Sequence, residues 1–139
     1  MSGAATPEPT DLLGRWTLER TIVDHLAGET YTLTGTTELT PAGDGRVRWH
    51  DEGLLRRGDV TSSAYRTLWV EPRDDGWWVT FEDGRDFHPW TPGAQVVHPC
   101  AADLYTGRVD VEPPDRWRVV WECRGPAKNY RMESVLTRA

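Results

Sequence analysis

Lysine is almost missing from this 139-residue chain. Lys128 is the only one, and arginine supplies the remaining cations. The formal net charge of −6 leaves no basic face for general nucleic-acid binding, which is electrostatic first. Cysteine is scarce too. Cys100 and Cys123 cannot make a disulfide framework, so a reduced pair is expected, with one bridge as the open alternative. No stretch approaches the roughly 18 apolar residues of a membrane span, and the first residues lack the apolar run of a signal peptide. The expectation is a cytoplasmic protein without membrane or nucleic-acid partners. G-x-S-x-G, a P-loop, and a G-x-G-x-x-G opening a helix are all absent, which argues against α/β-hydrolase and nucleotide chemistry.

Helical periodicity is also missing, whereas period-two alternation recurs throughout. Gly14 to Val23 sets Trp16, Leu18, Arg20 and Ile22 on one face. Thr30 to Leu39 sets Tyr31, Leu33, Gly35 and Leu39 against a threonine ladder, and Arg46 to His50 continues with Val47 and Trp49. Ser62 to Glu71 is ambiguous, Tyr65, Thr67 and Trp69 opposing Ala64, Arg66, Leu68 and Val70. Val96 to Cys100 leads to Asp103–Glu112, which Pro113-Pro114 ends. Arg116 to Arg124 buries Trp117, Val119, Trp121 and Cys123, and a last alternating run carries Tyr130, Met132, Ser134 and Leu136. Residues 1–10 read as a disordered tail and 11–139 as one domain. Short connections throughout imply a single antiparallel up-and-down β-barrel of about 8–10 strands.

Tryptophans are numerous, eight in all, and three fall between Trp77 and Cys100 with both phenylalanines and two histidines. Asp83-Gly84 lies between two aromatic runs and predicts a two-residue type I′ hairpin loop. Val79 then faces His88, and Trp77, Val79, Phe81, Asp86, His88 and Trp90 share a face. Glu82 and Arg85 become a surface ion pair. A longer loop would reverse the phase and turn Arg85 and Phe87 inward.

Gly14-Arg15-Trp16 on the first strand, with Arg138 on the last, resembles the calycin superfamily, in which an arginine lies over the Gly-x-Trp tryptophan at the barrel floor. LLGRWTLERTIVD, FEDGRDFH, HPCAADLYTG and GPAKNYRMESVLTR, in that order, resemble the bacterial family called domain of unknown function 6314. The resemblance implies a calycin-like (lipocalin-like) barrel and no established activity. Ala64 to Trp69 departs from the family's arginine–tyrosine–leucine–tryptophan pattern and leaves Arg66 without an assigned role.

With those faces inward, Arg20 is costly unless paired, and either Asp86 or Asp103, or a ligand's anion, would serve. His88 and His98 with Tyr105 and Tyr130 supply groups that can move protons and are the catalytic candidates. Arg20, Trp49, Trp77, Phe81, Trp121 and Lys128 are the ligand-binding candidates. His98-Pro99-Cys100 with Asp103 matches no strong zinc spacing, so no metal is assigned. A nucleophilic Cys100 beside His98 or His88 rests on composition alone. The reading is a cofactor-free enzyme of isomerase, cyclase or lyase type acting on a small molecule. The alternatives are a carrier or sensor of a hydrophobic or aromatic ligand and, after it, a haem-binding barrel. A homodimer stays open.

Overall fold

The computed structural model describes residues 6–112 and 115–139. Pro113 and Pro114, expected to end a strand, lie outside the described residues, as do residues 1–5 of the expected tail. The chain is already tied down at Pro7, whose carbonyl accepts the Trp90 indole N–H at 2.8 Å. Pro9 is buried at the head of a short 3₁₀ turn, Pro9–Leu12. Pro7 and Pro9, within the expected tail, are therefore held against the barrel.

Ten antiparallel strands follow: β1 (Gly14–Asp24), β2 (Glu29–Pro41), β3 (Val47–Arg57), β4 (Val60–Arg73) and β5 (Gly76–Phe81), then β6 (Asp86–Pro89), β7 (Gln95–Cys100), β8 (Asp103–Glu112), β9 (Arg116–Arg124) and β10 (Asn129–Arg138). They form one sheet in the order β6-β5-β4-β3-β2-β1-β10-β9-β8-β7. Every neighbour is consecutive in the chain except β1 and β10, which pair from Trp16↔Arg138 to Asp24↔Tyr130. The result is a nearly closed up-and-down barrel of lipocalin type. Its seam lies between β6 and β7, the two sheet edges. The stretch from Trp77 to Cys100 therefore supplies both lips of an opening.

The meander puts the odd-to-even hairpin turns at one end and the chain termini at the other. At the termini end the tryptophans make a plug. Trp16, Trp49, Trp90 and Trp117 are all under a tenth exposed, and Trp117 lies 5.9 Å from Trp16 and 5.3 Å from Trp49 between ring centroids. Each such pair adds about 0.5–1.5 kcal/mol beyond the area it buries. The Arg138 guanidinium sits 4.0 Å over the Trp16 ring, and its Nη1 donates to the Leu13 carbonyl at 2.8 Å. The arginine lid on the Gly-x-Trp residue is present as the resemblance implied.

The hairpin at Asp83-Gly84 is longer than expected. Phe81 N–H donates to the Arg85 carbonyl (2.8 Å) and Gly84 N–H to the Phe81 carbonyl (3.0 Å). The loop is thus three residues, Glu82 to Gly84. Gly84 has φ +91°, the left-handed conformation that glycine adopts without a Cβ clash. The extra residue would turn β6 over, but a bulge cancels it. Thr80 pairs with Asp86 and Val79 with His88, leaving Phe87 outside the ladder. His88 consequently stays inside while Arg85 is exposed. Arg85 bonds Asp83 at 2.8 Å rather than Glu82, and Asp86 faces outward to Arg73 at 2.6 Å.

Candidate functional site

β3 runs seven residues past the expected His50, and its alternation carries Val47 and Trp49 on to Asp51. Asp51 is 2 % exposed and is the anchor of the interior polar groups. It faces Thr37 on β2 and Arg66 on β4. Its oxygens accept from Thr37 Oγ1 (2.6 Å), Trp49 Nε1 (3.1 Å), Arg20 Nη2 (2.8 Å) and Arg66 Nη2 (3.3 Å). Burial opposes the charged carboxylate, but Arg66, Arg20 and the Thr37 hydroxyl outweigh it and hold its pKa below the usual range. Arg20 also donates from Nε to Ser134 Oγ at 2.7 Å. It is therefore a satisfied structural arginine, paired with Asp51 and not with Asp86 or Asp103.

Arg66 has the weaker share of Asp51. Its side chain is 32 % exposed, yet its Nε is buried without a hydrogen-bond partner. Burial pulls its pKa down, with Asp51 opposing and Arg20 adding to the effect. One carboxylate thus serves two guanidiniums, and one positive charge is left unbalanced.

That charge borders a cavity of about 220 Å³ lined by Arg66, Phe81, Phe87, His98, Cys100, Tyr105, Trp121, Tyr130 and Met132. The bulged Phe87 stacks between Phe81 (4.4 Å) and Trp121 (4.7 Å), both at 18° between planes. Trp121 lies flat because β8 carries glycine opposite it. A Cβ at Gly107 would come within 2.5 Å of the indole ring. His98 stands across the seam on β7, 5.3 Å from Phe87 and 6.1 Å from Tyr105 between ring centroids. Burial, then the Cys123 thiol, raises the Tyr105 pKa; burial, then Tyr105, raises that of Tyr130.

Five of the residues singled out from sequence thus meet at one cavity: Phe81, His98, Tyr105, Trp121 and Tyr130. The other five do not line it. His88 is 3 % exposed and sits behind the wall, its Nδ1 against the Pro89 carbonyl at 2.7 Å. Burial pushes its pKa down to about 4, with Arg66 and His98 adding to the fall and the Pro89 carbonyl opposing it. It is a neutral packing histidine. Trp49 belongs to the floor cluster, and Trp77 pairs with Pro72 at the same end. Lys128 is half exposed at a turn, 3.7 Å from Asp103. Cys100 and Cys123 are both free, the first exposed and the second buried. Among the described residues no three His, Cys, Asp or Glu side chains group as a metal site. Among the same residues no helix is long and apolar enough to cross a membrane.

Sequence reasoning missed Asp51 and Arg66; it brought Phe87 to the pocket only with Arg85 in the case of a longer loop, and of that pair Phe87 lines the cavity while Arg85 is exposed. Asp51 continues an alternation already visible at Val47 and Trp49. Arg66 shares its face with Leu68 and Val70, which are both buried, so the apolar half of the ambiguous strand marked it. Phe87 owes its position to the bulge, for which the sequence carries no plain signal.

Over residues 12–138 the chain matches the family described as "Family of unknown function (DUF6314)". No curated protein matches it. Among solved structures it is similar to the S-type phycobiliprotein lyase CPES from Guillardia theta. The TM-score is 0.61 at 9 % identity, over 94 % of this chain and 90 % of that one. At that identity the likeness concerns the fold.

Proposed function

The chain belongs to the DUF6314 family, whose description assigns no activity, and we propose that it binds a small, flat aromatic or conjugated molecule carrying one carboxylate or similar oxyanion. The observation that carries this is Arg66, a guanidinium with a buried, unpartnered Nε and half of one carboxylate, at the wall of an aromatic cavity. A planar fork of N–H donors in such surroundings suits an anion with two oxygens. Volume narrows the choice. About 220 Å³ is below the roughly 300–1,000 Å³ of drug-sized pockets and above the roughly 150 Å³ that holds benzene. One or two rings with a short arm fit, whereas a four-ring macrocycle such as haem does not.

The similar lyase supports the reading at the level of architecture, as a barrel of this shape that carries an activity. The test is direct. Tryptophan fluorescence follows titration with benzoate, 2-naphthoate and the neutral benzamide, since Trp121 forms part of the wall. Carboxylates should bind about tenfold or more tightly than the amide, the size of one charge-assisted hydrogen bond. Arg66→Gln should erase that preference. Equal affinity for benzoate and benzamide in the wild type, or an unchanged preference in the variant, would defeat the proposal.

A carrier and a cofactor-free enzyme of isomerase, cyclase or lyase type would share this pocket. The specific observation favouring catalysis is that His98, Tyr105 and Tyr130 line it together.

A further inference from the structure

Four inward side chains stand in one row across the turn end of the barrel. His98 pairs with Tyr105, Tyr105 with Cys123, and Cys123 with Tyr130. Adjacent strands are about 4.8 Å apart, so the row advances in steps of that size from the seam into the sheet. Cys123 is fully buried, while the imidazole and the two phenols border the same space as Arg66. Three polar tips thus stand at one level of an otherwise apolar and aromatic wall, beside the Arg66 guanidinium whose Nε is buried without a partner. Together they comprise a base that can return its proton, two hydroxyl donors and an anion clamp.

We propose that the cavity interconverts the keto and enol forms of a small aromatic 2-oxo acid, resting on the ligand reading above. Arg66 holds the carboxylate, and the aromatic wall holds the ring. His98 takes a proton from the carbon next to the carbonyl, and the C–H electron pair becomes the C=C bond. The carbonyl π pair moves to oxygen, which receives a proton from the Tyr105 or Tyr130 phenol. The imidazolium returns its proton along the row to the phenolate. One proton leaves carbon and one arrives at oxygen, so no oxidant, reductant or cofactor is consumed. Burial favours the protonated phenols, which keeps them hydrogen-bond donors to the developing oxyanion.

Phenylpyruvate is the probe. Exchange of its C3 hydrogens is followed by proton NMR in deuterated buffer, with benzoate affinity measured in parallel. The wild type should exceed the buffer rate by about a hundredfold, the lower range for positioned acid–base groups. His98→Gln should lose that acceleration while keeping benzoate affinity within about threefold. Tyr130→Phe should lower kcat more than it changes KM. Benzoate binding with exchange at the buffer rate would overturn the isomerase and leave the ligand reading standing. Full exchange in His98→Gln would overturn it as well. Failure of the wild type to bind benzoate would overturn both.

Discussion

His88 and Arg66 are two cationic side chain types that the barrel interior treats in opposite ways. The imidazole can shed its proton, so burial simply keeps it neutral, with a pKa of about 4. That has a consequence for stability. The unfolded chain binds a proton at this histidine near pH 6.5, while the folded chain does not until about pH 4. Stability therefore rises with pH across that window and falls as the pH drops from 6.5 to 4, by something on the order of 3 kcal/mol. His88→Gln should flatten the urea-unfolding profile there and leave the loss at lower pH, where Asp51, held below the usual carboxylate range, gives up its charge. A guanidinium has no such escape, because it keeps its proton at any relevant pH. Arg66 must find an anion, and Asp51 supplies only part of one. Its identity is plain in the sequence, but its place on the inner face depended on choosing between the two faces of Ser62 to Glu71.

Among the elements, β3 does the most to organise the polar interior. It places Asp51 between Thr37 on β2 and Arg66 on β4, with Arg20 reaching across from β1. Asp51→Asn would leave two guanidiniums without a counter-charge. The expected loss is about 3–5 kcal/mol, the usual cost of breaking a buried pair from one side, read as a lower urea midpoint. Adding Arg66→Met should restore part of it, since Arg20 alone would then lack its partner. A strictly additive double variant would contradict the shared-carboxylate picture. The β5–β6 hairpin shows the limit of local reading. Asp-Gly marked the turn, and the loop is one residue longer than that signal suggests. The bulge at Phe87 offset the change, so His88 reached its expected face by a different route. Loop length and bulge are fixed jointly by the pull of Val79, His88 and Trp90 toward the core, a tertiary requirement that no dipeptide encodes.

On the scale of the molecule, the barrel is closed by β1 and β10 and open between β6 and β7. Edge strands have unpaired backbone groups and fewer neighbours, and local opening begins at such places. Amide hydrogen exchange should therefore be at least about tenfold faster in β6 and β7 than in β1, β9 and β10. Equal protection around the ring would argue for a fully closed barrel. Because Phe87 and His98 stand on the two lips, the same opening brings an aromatic side chain and an imidazole to the cavity.

Much of this barrel could be read from alternation alone. Strand positions and the inward lines Trp117-Val119-Trp121-Cys123 and Leu18-Arg20 follow from period two, because successive side chains of a strand must point opposite ways, whereas the Trp16–Arg138 floor was legible only through the resemblance to calycins. The cavity could not be read in that way. Asp51 bonds Arg20 across 31 residues and Arg66 across 15, and His98 meets Phe87 only because the sheet curls until its edges face each other. Alternation says which side of a strand a residue occupies. Only closure of the sheet decides which strands share a level, and hence that Arg66, His98, Tyr105 and Tyr130 border one space while Arg20, Trp49, Trp77, His88 and Lys128 do not.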